Sequence, residues 1–278
     1  MNIKPHTKTI LFCTLFNLFF EYSLRGLNEL LTKPLLFCIL TIIYLTLFTM
    51  LEDLITRYRF EDKHVFLFAC SYGTLYFIIS STIYLINPWF FGVNIGILLF
   101  VNIVWWAFYQ TLFPLYLSQR IFSRDWNHKC QTKINWTIIL GLHIFANFFI
   151  ILSPATGIGT PIGYITTFLI SFIFAFILLR SLKKRKLEES RGKNYTQQET
   201  ANPIEKQIEN YTTIKIFDIL GIISIGLMGF CAIFLTFDPI QAGSSRVNAT
   251  ALLIINSWTI FVMFVEIIVW MKRKKIPI

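Results

Sequence analysis

The chain has 278 residues, of which 55% are hydrophobic and 17% aromatic, and only 14% are charged. A soluble domain carries about 25% charged residues, so this surface cannot be one that faces water throughout. The net charge of +10 does not indicate nucleic acid, because Lys and Arg sit in short blocks at the ends of apolar runs and no base-reading motif accompanies them.

A spanning helix needs about 20 mostly apolar residues. The chain offers eight such stretches: Thr9 to Leu24, Pro34 to Leu51, His64 to Ile86, Phe91 to Leu117, Trp136 to Ser153, Pro161 to Leu179, Ile214 to Phe237 and Thr250 to Met271. The expected fold is an all-α integral membrane protein, a polytopic bundle of about eight transmembrane helices. The first stretch has a basic start at Lys4 and Lys8 but carries Glu21 late and no small-residue cleavage site, which reads as an uncleaved anchor.

Basic residues fix an expected direction. With the N-terminus inside, the inner connections hold Lys4 and Lys8, then Arg57, Arg59 and Lys63, then Arg120, Arg124, Lys129 and Lys133. The stretch from Arg180 to Lys215 and the C-terminal Lys272 to Lys275 follow, leaving only Arg25, Lys33 and Arg246 outside. Basic residues crowd the cytoplasmic side because carrying them across lipid is unfavourable. Both termini are therefore expected in the cytoplasm, in the cell membrane. The organisation reads as a six-helix region over residues 1–180, a basic polar linker over 181–213 and a two-helix hairpin over 214–278. The Lys183-Lys184-Arg185-Lys186 run should meet anionic headgroups. Short turns are expected at Asn87-Pro88 and from Pro154 to Pro161.

An ionisable residue within a span is costly and is a functional candidate by default. Glu21, Arg25 and Glu29 fall at four-residue steps and share a face if their helix continues, as an ion-paired helix end or a site. Asp53 and Arg57 suit an intrahelical pair, while Glu52 points about 100° away and is free to face the bundle. His143 and Asn147 lie on one face of the fifth stretch, suited to an interhelical bond or to proton or ligand chemistry. Asp218 and Glu266 sit at the inner level of Glu52, so three carboxylates can gather there unless Lys215 and Lys272 neutralise two of them. Asn94, Asn102 and Gln110 on the fourth stretch spread around an ideal helix and read as interhelical glue. Gly221, Ser224 and Met228 fall along one side of the seventh stretch and suggest a close helix contact. The five cysteines read as reduced packing residues, and no cluster calls for a metal or cofactor.

Glu52-Asp53-Leu-Ile-Thr-Arg57 resembles the EExxxR motif of the CAAX protease and bacteriocin-processing family, and His143-Ile-Phe-Ala-Asn147 is similar to its HxxxN motif. The resemblance implies peptide hydrolysis inside the membrane by a water activated by Glu52 and His143, with Asn147 as a stabilising donor. The chain departs from the pattern in two ways. Asp53 stands for the second Glu, and the helix expected to carry FxxxH offers Trp106-Ala-Phe-Tyr-Gln110, with Gln for His. The reading from residues alone is a non-enzymatic transporter-like or scaffold protein, with an intramembrane hydrolase as the alternative.

Overall fold

The structure is a computed structural model that describes residues 4–80, 90–122, 124, 131–151, 160–190, 215–237 and 249–273. The turns expected at Asn87-Pro88 and across 152–159, the linker beyond Ser190, residues 238–248 and Cys130 lie outside these residues. Among the described residues there is no strand. The chain forms α1 (Pro5–Arg25), a short α2 (Asn28–Thr32), α3 (Pro34–Tyr58), α4 (Asp62–Ser80) and α5 (Ile95–Ile121). It continues as α6 (Lys133–Ile151), α7 (Pro161–Ser190), α8 (Lys215–Phe237) and α9 (Ala249–Arg273).

Six of these, α3 and α5 to α9, are long and apolar enough to cross a membrane. Helix α1 falls short because Lys8, Asn17, Glu21 and Arg25 interrupt it. Helix α4 opens on Asp62-Lys63-His64 and is described only to Ser80.

The bundle is organised around α1 and α5. One side of α1, through Phe16, Phe20 and Leu24, packs with Phe108, Tyr109 and Phe113 of α5 and with α8 and α9. Its other side, through Ile10, Cys13 and Leu18, joins Tyr44, Leu47 and Leu51 of α3. The peripheral helices turn their apolar residues outward. On α6 the buried positions of the middle are His143, Ala146 and Asn147, while Leu142, Ile144, Phe145 and Phe148 are exposed. That inverts a water-soluble helix, whose polar residues face out. A lipid surround makes it favourable, because apolar chains lose nothing by facing tails and polar ones need partners inside.

The α4–α7 contact is built from small residues. Ser71 of α4 meets Ser171 of α7, and Ala69 and Cys70 form a buried cluster with Ala107 of α5 against which Phe174 of α7 packs. The two serines close it reciprocally, Ser71 Oγ donating to the Ser171 carbonyl (3.1 Å) and Ser171 Oγ to the Ser71 carbonyl (2.8 Å). Small residues let backbones approach, and hydroxyls bond across, where tails give no hydrophobic drive. Gly73 also faces α5, where a Cβ would lie 2.7 Å from Asn102 Oδ1 and 2.8 Å from Trp106 Cβ. Gly221 on α8 sits against Leu117 of α5, and Ser224 accepts from Trp258 Nε1 of α9 at 2.6 Å. Both small residues of the seventh stretch therefore lie at helix contacts.

Helix α7 continues to Ser190, so the first ten residues of the expected linker are helical and carry the basic run beyond the apolar part. Arg185 reaches the α3–α4 turn and donates to the carbonyls of Tyr58 and Arg59. A helix end leaves its last carbonyls without intrahelical donors, and Arg185 supplies them.

Candidate functional site

Helix α5 is the irregular element. It starts on Asn94, whose Oδ1 accepts from the Ile97 amide (3.1 Å), so this Asn caps the helix. From Val101 to Leu112 the backbone is π-helical, with i→i+5 bonding, and α-geometry resumes at Phe113 ahead of Pro114. Such turns are rare and frequently sit at functional sites. The expected rotation between Asn102 and Gln110 assumed an α-helix, and the π stretch alters it. Pro114 has no N–H to donate into the turn before it. Asn17 of α1 donates from Nδ2 to the Gln110 carbonyl at 2.9 Å.

That bond belongs to a polar chain across three helices. Gln110 Nε2 donates to Tyr44 Oη of α3 (3.2 Å), and Tyr44 Oη donates to Glu21 Oε1 of α1 (2.8 Å). Glu21 is one turn from Asn17 on the same helix. Tyr44, Gln110 and Asn17 are buried, and the side-chain oxygens of Asn17 and Gln110 accept no hydrogen bond. Asn102 Nδ2 donates to Thr74 Oγ1 of α4 (2.7 Å), and its oxygen likewise accepts none. Asn102 and Gln110 therefore do bind neighbouring helices.

Above Glu21 the ions continue past a break. Helix α1 ends at Arg25 and the chain turns at Gly26 (φ 86°), where a Cβ would lie 3.0 Å from Leu235 Cβ. The expected continuous face is thus interrupted, yet Arg25 reaches Glu21 (3.3 Å) and Glu29 (3.7 Å), and Lys33 closes on Glu29 at 2.7 Å.

His143 lies beside this chain. Its Nδ1 is 2.7 Å from Thr46 Oγ1 of α3, and its Nε2 is 3.1 Å from Tyr72 Oη of α4. Tyr72 meets Trp106 of α5 edge-on at 5.4 Å, and Tyr76 meets it tilted at 4.6 Å. Asn147 Nδ2 bonds the His143 carbonyl one turn back at 2.8 Å, and its oxygen accepts none.

At the opposite end, Glu52 is not free, contrary to expectation. Arg124 clamps it from Nε (3.0 Å) and Nη2 (2.9 Å), with only 6% and 2% of the two side chains exposed. An unpaired buried carboxylate is expensive, and the bidentate guanidinium removes that cost. Asp53 pairs with Arg57 (3.0 Å) as expected, and also accepts from the Gln131 amide (2.6 Å) and Trp136 Nε1 (2.8 Å). Asp53 thereby ties the entry of α6 to α3. Asp218 is held by Arg120 Nε (2.7 Å) and Nη2 (2.5 Å), so arginines of α5 and just beyond it supply counter-charges to Asp218 and Glu52. Glu266, Asp62, Gln119, Tyr116 and Arg124 line a cavity of about 130 Å³ between these helices. Two of the three carboxylates expected at this end, Glu52 and Asp218, are arginine-paired. Outside the spans, Glu61 lies below the usual carboxylate range, chiefly because Lys63 bonds it at 2.8 Å.

Sequence reasoning missed Asn17, Tyr44, Thr46, Tyr72 and the pairing role of Arg124. Asn17 and Pro114 were each visible as polar or helix-breaking residues within apolar runs. Only contact between helices brings Asn17 to the Gln110 carbonyl. Glu52 and His143 have separate partners: Thr46, which bonds His143, precedes Glu52 by six residues, about 9 Å of helix rise. No protein-family model matches this chain, and no curated protein and no solved structure matches it.

Proposed function

We propose that this chain is a transporter-like protein of the cell membrane that passes a small polar solute or ion, without enzymatic activity. It spans the bilayer eight times, with both termini in the cytoplasm and Lys183, Lys184 and Lys186 against anionic headgroups. The observation that carries the reading is the π-helical stretch of α5, buried between α1, α3 and α4 and lined by polar side chains. Irregular backbone at membrane depth is tolerated where it is enclosed by protein or lines a water-filled path, and interrupted helices form transporter binding sites. The polar chain from Glu21 to Gln110 above and the cavity at Arg124 and Glu266 below flank that stretch. A scaffold has no need of either.

The hydrolase reading is the weaker one. It needs Glu52 and His143 on one water, whereas Arg124 takes both oxygens of Glu52, and Thr46 and Tyr72 take both nitrogens of His143.

Thiol accessibility tests the proposal. Cysteines are placed at Asn102 and Gln110 in a background lacking the five native ones, and membrane-impermeant reagents are applied from each side. A transporter-like path exposes at least one position to water from one side. Silence of both positions from both sides, with full reaction after denaturation, rejects it.

A further inference from the structure

The atoms left over in the Asn17–Glu21–Tyr44–Gln110 chain are all acceptors. Asn17 spends Nδ2 on the carbonyls of Cys13 and Gln110, both at 2.9 Å. Gln110 gives Nε2 to Tyr44, and Tyr44 gives its hydroxyl proton to Glu21. What remains is Asn17 Oδ1 and Gln110 Oε1, on side chains 0% and 1% exposed, beside the Glu21 carboxylate. A buried amide oxygen without a donor is costly, and two in contacting residues call for one shared guest.

The chemistry of that guest follows. An anion would find at most the second N–H of Gln110 Nε2, and the Glu21 carboxylate would repel it. A divalent cation would find too little negative charge, since Glu21 is the single carboxylate of the chain and is already shared with Arg25 at 3.3 Å. Hard, neutral oxygens with one partly compensated carboxylate suit a monovalent metal cation.

We infer that Asn17 Oδ1, Gln110 Oε1 and the Glu21 carboxylate bind a monovalent alkali cation between α1, α3 and α5. Gln110 lies in the π stretch and its carbonyl accepts from Asn17, so an ion drawn to both amides ties α1 to the most irregular turn of α5. As a coupling ion it rests on the transporter-like reading. As a bound ion it does not, and binding is what the experiment measures.

Full-length protein in detergent is melted in sodium, potassium or choline chloride at equal ionic strength. The melt is followed through tryptophan fluorescence, since Trp105 and Trp106 precede Gln110 by about one turn. One alkali cation is expected to raise Tm saturably, by about 5 °C at a hundredfold excess over its Kd. Gln110→Met keeps the side-chain length, loses the oxygen and should abolish the shift. Asn102→Ala removes a different amide of α5 and should keep it. Equal melting of the wild-type chain in all three salts means that only a buried water or nothing satisfies the amides, and overturns the inference even if Gln110→Met fails to fold. A shift that survives Gln110→Met, or that follows pH and not the cation, overturns it too. Cation binding with both positions silent to thiol reagents would sink the transport reading alone.

Discussion

At the scale of single residues, the membrane interior sets the cost of every charge. Glu52 and Arg124 are nearly inaccessible, so each is tolerable only because of the other. Glu52→Gln should therefore destabilise the protein by about 3–5 kcal/mol, because it strands a buried guanidinium. Glu52→Leu combined with Arg124→Met should recover most of that loss, since replacing a whole buried pair with apolar residues is often neutral. Thermal unfolding of the single and double variants in detergent checks this, and a double variant as unstable as the single would refute simple pairing. The same accounting applies to His143. Both ring nitrogens are within hydrogen-bond reach of hydroxyls on α3 and α4, which locks α6 to its neighbours through a helix otherwise turned toward lipid.

At the scale of elements, α5 shows how one helix imposes demands on another. Pro114 removes a donor and the π turns change the register, and Asn17 of α1 donates to the Gln110 carbonyl within that stretch. Asn17→Ala should cost about 1–3 kcal/mol, the penalty of leaving a buried carbonyl unsatisfied. In a Pro114→Ala background the restored backbone N–H can serve the Gln110 carbonyl, so the same Asn17 substitution should cost clearly less. A double-mutant cycle read by thermal melts measures the difference, and equal costs in both backgrounds would show that the proline gap is not what Asn17 serves. Glycine acts at this scale as well. Gly73 stands where α4 meets α5 closely enough that any Cβ would strike Asn102 and Trp106.

At the scale of the whole molecule, α6, α7 and α9 turn mostly apolar side chains outward, and the polar groups gather along the α1–α3–α4–α5 interior and at the Arg124 end. The eight-span topology proposed above makes a direct prediction. A cysteine replacing Lys133, exposed at the start of α6, should react with impermeant reagents in inside-out vesicles and not in intact cells. Labelling from the exterior would reverse the orientation.

Much of the architecture was legible without coordinates, and the reason is physical. Length and apolarity reveal a membrane helix because lipid offers no hydrogen bonds, so a span must satisfy its own backbone over about 20 residues, as the runs now forming α3 and α5 to α9 do. Local spacing likewise revealed pairs on one helix, such as Asp53 with Arg57 and His143 with Asn147, because four residues make about one turn. Partners on different helices carry no such mark. Arg124 could be read only as an orienting charge until packing set it against Glu52, and Gln110 only as glue until α1 delivered Asn17 to its carbonyl. The π register of α5 was equally hidden, since nothing in the spacing of its residues marks i→i+5 bonding. Sequence determined the six helices long and apolar enough to cross a membrane. Tertiary structure alone decided which polar groups meet inside it, because those meetings join residues from about 20 to 100 positions apart along the chain.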